Sequence, residues 1–418
     1  MPPQKSLQAF LAAARAALTA PPSKRSAPLH FVVGNESADL DTLCSTLFLA
    51  YFRSHSPPHT LHIPLCHLPR DDLSLRPEFS AVLKRAAVTE DDVLTLSELP
   101  GIDSLKPEDT RWVLVDHNAM TGKLGQNYGN RVVGCIDHHD DEGKVPKDAE
   151  PRVIEKCGSC MSLVVEYCQE AWQKLAKENG EGEAAQINAQ LAYLALAPIL
   201  IDTNNLGNKN KTTVHDERAV SIAETHLSTF TSASVSTSSS SGSNSNSDSS
   251  YDRKRFFANL STLKEDISYM SFRDIFRKDY KEWDEGNAKL GTSSVPQSFA
   301  FLVRKAGSEG AFLRELEDWG AQKGLDVVTI LTTSKDGGEF RRELLVWART
   351  GPEVVKAVKK FAEGDGKEKL GLGTWGDGKL DMEDGEGSWR RCWTQARLEH
   401  SRKQIAPMLR DALKGAKA

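Results

Sequence analysis

The stretch Arg131–Gly143, "RVVGCIDHHDDEG", decides the fold. Val132–Ile136 is a short apolar run and reads as a buried strand. Asp137, His138 and His139 follow it at once, with Asp140, Asp141 and Glu142 behind them. Crowding imidazoles and carboxylates onto the end of a core strand is costly unless something balances the charge.

The same pattern recurs in three other places. "LHFVVGNESADLD" (29–41) runs from an apolar strand into Asn35, Asp39 and Asp41. "RWVLVDHN" (111–118) ends on Asp116 and His117. "AQINAQLAYLALAPILIDTNNL" (185–206) is a helix that leads to Asp202. Between them lie helical stretches at 41–55, 77–87 and 157–180, the last stopped by Gly180. "LHIPLCHL" (61–68) reads as a strand and "DVLTLSEL" (92–99) as extended. Strands alternating with helices imply an α/β fold with a mainly parallel sheet flanked by helices. In such sheets, sites form beyond the carboxyl ends of the strands. There the four groups of acids and histidines would converge, and a divalent cation would neutralise them. Oxygen donors plus an imidazole suit Mg²⁺ or Mn²⁺ better than thiolate-bound zinc. Two such ions about 3.5–4 Å apart are the usual arrangement for hydrolysing phosphate bonds.

The chain has 418 residues, enough for two or three domains. A net charge of −5 gives no global basic field for nucleic acid, so no nucleic-acid partner is expected. No apolar run is read as a membrane span of about 18 residues, so no membrane partner is expected either. Seven scattered cysteines suit a reducing compartment. No acid precedes Glu36, which fits a mitochondrial presequence, but the face Leu7, Phe10, Leu11 and Leu18 fits an ordinary first helix of a cytoplasmic protein better. Residues 228–250 are almost all small and polar and read as a disordered insertion. Beyond it, 257–283 reads as helical, "SFAFLV" (298–303) as extended, and 327–348 as a hairpin turning at Asp336-Gly337-Gly338. Residues 363–388 read as a surface loop, "SWRRCWTQ" (388–395) as a last strand and 401–415 as a terminal helix. The resulting division is 1–226, a linker at 227–250, and a smaller C-terminal α/β domain at 251–418.

"GNESADLD", "VLVDHN", "CIDHH", "GSCMSLV" and "ILIDTNNL" together resemble the DHH phosphoesterase superfamily, and within it the fungal cytosolic exopolyphosphatases. Prune-type proteins and family II inorganic pyrophosphatases are relatives. "RKDYKEW", "GTSSV" and "SRKQIAP" resemble the DHH-associated C-terminal domain of those enzymes. The resemblance implies an active site in the cleft between the two domains and a monomer acting on inorganic polyphosphate. It implies that Asn35 and Asp39 serve a first metal, that Asp41, His138 and Asp202 serve a second, and that Asp116 bridges them. His139 would face the phosphate as a catalytic group, with His117 beside it, and Lys281, Arg402 and Lys403 would hold the substrate's phosphates. Pyrophosphatases of this type carry histidine where this chain has Asn35, which shifts the expectation toward polyphosphate and toward tolerance of Mg²⁺. A pyrophosphatase, a short-chain polyphosphatase or a nucleotide phosphodiesterase remains the alternative. A non-catalytic interaction protein ranks below these. Gly158-Ser159-Cys160 reads as a helix start whose N–H groups face anions. Arg70, Arg76, Lys144, Lys147, Arg152 and Lys156 read first as solvated surface charges and second as a track for a long polyanion.

Overall fold

The computed structural model describes residues 6–178, 183–237, 251–383 and 387–414. The chain folds as two compact units, residues 1–263 and 264–418. The first contains α1 (Leu7–Thr19), β1 (Leu29–Val33), α2 (Leu40–His55), β2 (His62–Leu65), α3 (Pro77–Arg85), β3 (Thr110–Val115), α4 (Gly122–Tyr128), β4 (Val132–Asp137), β5 (Arg152–Ile154), α5 (Cys160–Glu178), α6 (Glu183–Asp202) and α7 (Val214–Thr237), and α8 (Arg253–Glu265) begins in it.

Its five strands run parallel in the order β2-β1-β3-β4-β5. Successive side chains along a strand point to opposite faces. Phe31 and Val33 therefore join Trp112 and Leu114 in one core, while Val32 joins Val113, Val115 and Ile136 in the other. Both faces are covered by helices, which is why the strands read as unbroken apolar runs. β1 has β2 on one side and β3 on the other, so the chain reverses direction across the sheet between β1 and β3. Asn35 and Asp116 leave the sheet at this switch point.

α1 buries Leu7, Phe10, Leu11 and Leu18 against this unit. Contrary to the reading of no long apolar run, Ala184–Asp202 is long and apolar enough to cross a membrane, and 78% of it is buried inside the unit. Residues 92–99 form no strand. Thr95 and Glu98 close a capping box around a short helical turn, leaving only a bridge from Thr95 to Cys66. Of the expected linker, the backbone through Thr237 continues α7, since adding residues to a nucleated helix is cheap. Residues 238–250 lie outside those described. The sequence placed the start of the C-terminal domain at 251, whereas Phe256 and Leu260 of α8 pack in the core of the first unit.

The second unit comprises α9 (Phe272–Lys278), β6 (Tyr280–Glu285), β7 (Ala288–Val295), α10 (Phe299–Ala306), α11 (Glu309–Lys323), β8 (Val327–Asp336), β9 (Glu339–Ala348), α12 (Pro352–Phe361), α13 (Lys367–Leu370), β10 (Leu372–Thr374), β11 (Met382–Glu383), β12 (Trp389–Gln395) and α14 (Arg402–Lys414). Its mixed sheet has the order β10-β12-β9-β8-β7-β6, with β11 also on β12. Among the described residues of this sheet, β7 and β8 alone pair in parallel. The β8–β9 hairpin pairs Asp336 with Glu339, so its two-residue turn is Gly337-Gly338, at φ +58° and +89°. Both angles favour glycine. "SFAFLV" is helical rather than extended, because Ser298 caps α10 by accepting from Phe301 N at 3.2 Å. "YKEW" is strand rather than helix, since β6 pairs residue for residue with β7. The 363–388 region carries α13, β10 and β11 rather than a plain loop, and residues 384–386 lie outside those described.

Candidate metal centre

β3 ends by turning sharply. Asp116 has φ +59°, a left-handed conformation that Asp tolerates better than most residues. The turn swings its buried carboxylate between β1, α2 and the end of β4. Asn35 Nδ2 donates to Asp116 Oδ2 at 2.8 Å and to its carbonyl at 2.9 Å. Thr42 Oγ1 donates to the same Oδ2 at 2.6 Å. Asp116 Oδ1 lies 3.1 Å from His138 Nε2 and 3.8 Å from His139 Nδ1. Gly34 allows this packing, for a Cβ there would sit 2.1 Å from Thr42 Cγ2.

Asp41 lies in the first turn of α2, buried against the start of α5. It accepts from Cys160 N at 2.7 Å and Met161 N at 2.9 Å, and lies 3.9 Å from His138 Nε2. Burial pushes its carboxyl well above the usual range, and the neighbouring Asp116, Asp202 and Asp39 push it further. Asp39 caps α2, accepting from Thr42 N at 3.0 Å. Asp202 ends α6 close enough to Asp41 to repel it. The structure thus brings Asp39, Asp41, Asp116, His138, His139 and Asp202 into one neighbourhood, as the sequence implied.

The histidines are oriented from behind. His138 Nδ1 faces the Cys157 carbonyl at 3.1 Å. His139 Nδ1 bonds Asp137 Oδ1 at 2.7 Å, and Asn118 Nδ2 donates to Asp137 Oδ2 at 2.6 Å. Burial works against charge on Asp137, but its contact with His139 outweighs this and holds the carboxyl well below the usual range. His117 is buried, with Nδ1 3.0 Å from the Val115 carbonyl.

A divalent cation fits this donor set. Asp116, His138 and His139 offer ligand atoms that all lie within 4.8 Å of one another. The mutual repulsion that raises the Asp41 carboxyl is what a cation relieves.

Three expectations need correction. Asn35 engages Asp116 through its amide nitrogen, and its oxygen accepts from Ser37 N at 2.9 Å, so here it acts as a hydrogen-bonding brace rather than as an oxygen ligand. The Gly158–Cys160 amides face the protein's own carboxylates, Asp216 and Asp41, rather than a ligand. Arg76 is no surface cation: it is buried and donates to the carbonyls of Ser37, Ala38 and Asp72. Arg70, Arg152 and Lys156 pair with Glu98, Asp141 and Asp140, while Lys144 and Lys147 are exposed. Thr42, Asn118 and Asp216 were missed. Asn118 alone gave a signal, as the third residue of "DHN".

In the second unit, Lys281 lies on β6 opposite Thr292, and Arg402 and Lys403 open α14. Arg402 Nη1 pairs with Asp279 Oδ1 at 2.7 Å. Burial opposes ionisation of Asp279, but Arg402, and then Lys281, hold its carboxyl below the usual range.

Comparison with known proteins gives the family and the fold. Residues 30–199 match the DHH family N-terminal domain, and residues 258–412 match the DHHA2 domain. A Schizosaccharomyces pombe protein described as "Putative exopolyphosphatase" is 31% identical over 93% of this chain and 92% of its own length. Human exopolyphosphatase PRUNE1 is 25% identical over 71% of this chain, which spans only 58% of that relative. A Methanocaldococcus jannaschii manganese-dependent inorganic pyrophosphatase is 22% identical over 74% of this chain and 85% of its own length. The crystal structure of a Methanococcus jannaschii "putative family II inorganic pyrophosphatase" shares the fold, with a TM-score of 0.58 at 19% identity, covering 93% of this chain and all of that one.

Proposed function

We propose, from the premise that this chain belongs to the DHH family and carries a DHHA2 domain, that it is a metal-dependent exopolyphosphatase. It would hydrolyse the terminal phosphoanhydride bond of inorganic polyphosphate and release orthophosphate. One observation carries the reading: Asp116, turned out of the sheet at φ +59°, stands between Asn35, Thr42 and His138 and beside Asp41, on which Asp202 and Asp39 also act.

Asp39, Asp41, Asp116, His138 and Asp202 would hold two divalent ions, Mg²⁺ or Mn²⁺. Bound there, such ions supply a water of lowered pKa as nucleophile and offset charge on the phosphoryl oxygens. The protein's own residues do the rest. Asn35 and Thr42 fix one oxygen of Asp116, which aims the other at His138. Asp137 fixes His139 through Nδ1, so proton exchange with the leaving oxygen falls to Nε2. His117, next in the chain to Asp116, would contact the substrate. Lys281, Arg402 and Lys403 would neutralise the phosphates of the bound chain, with Arg402 already oriented by Asp279.

The pyrophosphatase relative keeps a second reading open, cleavage of pyrophosphate or short chains. Asn35 disfavours it, since the resemblance places histidine there in pyrophosphatases. The reading extends to a monomer in the cytoplasm; the apolar face of α1 packs into the core, as an ordinary first helix does. Light scattering and cell fractionation check those two points. The function itself is tested by a substrate panel of long polyphosphate, short polyphosphate and pyrophosphate, each with Mg²⁺, Mn²⁺ or EDTA. Steady orthophosphate release from long chains, abolished by EDTA, is expected. Cleavage of pyrophosphate alone would overturn the reading.

A further inference from the structure

Asp216, in the first turn of α7, is fully buried and takes no part in the chemistry proposed above. Its carboxylate accepts five hydrogen bonds: Gly158 N at 2.9 Å, Ser159 N at 3.2 Å, Ser162 Oγ at 2.7 Å, Thr213 N at 2.7 Å and Thr213 Oγ1 at 2.9 Å. Three of these donors belong to the turn that starts α5. The approach is close enough to require glycine, since a Cβ on Gly158 would lie 2.6 Å from Thr203 Cγ2 and 3.0 Å from Asp216 Oδ2.

That same turn makes two contacts into the metal centre. The Cys157 carbonyl faces His138 Nδ1 at 3.1 Å, which keeps the proton on Nδ1 and turns Nε2 toward Asp116. Three and four residues on, Cys160 N and Met161 N grip the two oxygens of Asp41. Both Asp41 and His138 therefore take their places from one turn, and Asp216 pins that turn to α7.

We infer that Asp216 is a positioning residue for the metal centre, setting divalent-ion affinity by fixing the Cys157–Met161 turn that orients His138 and Asp41. The inference rests on the metal-dependent reading above. An amide cannot replace the carboxylate. Oδ2 meets the N–H groups of Gly158 and Thr213, and Oδ1 meets that of Ser159, so either orientation of Asn turns an NH₂ against a backbone donor.

The test is Mn²⁺ titration of the purified full-length protein, followed by electron paramagnetic resonance. Asp216→Asn should weaken Mn²⁺ binding by about 10- to 100-fold, the range for partners that orient metal ligands. Ser162→Ala and Thr213→Val, which each remove one donor, should weaken it less and keep the test open if Asp216→Asn fails to fold. Glu224→Gln, which disrupts the Arg253 pair elsewhere on α7, should lower Tm without changing Mn²⁺ affinity. Wild-type affinity in every folded variant of the Asp216 cluster would overturn this role and leave the metal reading standing. A wild-type protein that binds no Mn²⁺ would overturn both.

Discussion

Asn35 Nδ2 and Asp116 Oδ2 lie 2.8 Å apart, joining the ends of β1 and β3 across the switch point of the sheet. The pair explains how a carboxylate 81 residues away is held at the end of β1 without a charge of its own to balance it. Asn35→His would replace that brace with an imidazole able to serve as a nitrogen ligand, which favours Mn²⁺ over Mg²⁺. The ratio of Mn²⁺- to Mg²⁺-supported activity should rise several-fold, with pyrophosphate cleavage gaining on polyphosphate cleavage. An unchanged ratio would remove Asn35 from control of the centre.

Thr42 donates to the same carboxylate oxygen at 2.6 Å from inside α2. Losing a buried hydrogen bond to a charged group costs about 1.5–3 kcal/mol. Thr42→Val should lower kcat by roughly tenfold or more on that scale, while Thr42→Ser should stay close to wild type. Equal rates in the valine and serine variants would show that the hydroxyl does not steer Asp116.

Lys281 and Arg402 should act on substrate charge. Neutralising either, as Lys281→Gln or Arg402→Gln, should raise KM for polyphosphate and flatten its dependence on salt, by the counterion argument established for other polyanions. An identical salt slope in both variants would take them out of the substrate path.

Two histidines away from the centre predict acid sensitivity. Burial pushes His226 down to about 4, where its ring stacks on Trp172 at 4.1 Å. Burial, then Arg53, pushes His62 down to about 4, and Arg53 Nε donates to its Nε2 at 3.1 Å. Both are neutral in the fold and ordinary, near 6.5, once unfolded. As pH falls from about 6.5 to 4, the unfolded chain takes up protons that the fold refuses, so stability drops by at most about 3 kcal/mol per histidine. It is fully present above about pH 6.5. His226→Phe keeps the stacking and should make Tm less steep between pH 7 and 5. A slope identical to wild type would show that His226 carries none of the loss.

The parallel sheet and the gathering of acids were legible because both are written in runs: apolar segments of strand length, each ending in carboxylates or imidazoles. What was hidden depends on contacts between distant segments. Thr42 reads as one more polar residue of a helix, yet its hydroxyl reaches a carboxylate 74 residues away. Arg76 reads as a surface cation, but its fork closes on the carbonyls of Ser37 and Ala38 and braces the loop carrying Asp39. Asp216 stands in the first turn of α7, a common place for an acid, and its burial against the start of α5 shows only in the fold. "SFAFLV" reads as extended because a short apolar run has no decisive period, and only the Ser298 cap separates helix from strand.

On the proposed reading, aspartates distant in sequence assemble a centre for divalent ions. The most direct test is an anomalous difference map from crystals grown with Mn²⁺ and measured at the manganese edge. Two peaks are expected within the cluster of Asp39, Asp41, Asp116, His138 and Asp202. A map with no peak beside Asp116, at full Mn²⁺ concentration, would contradict the account.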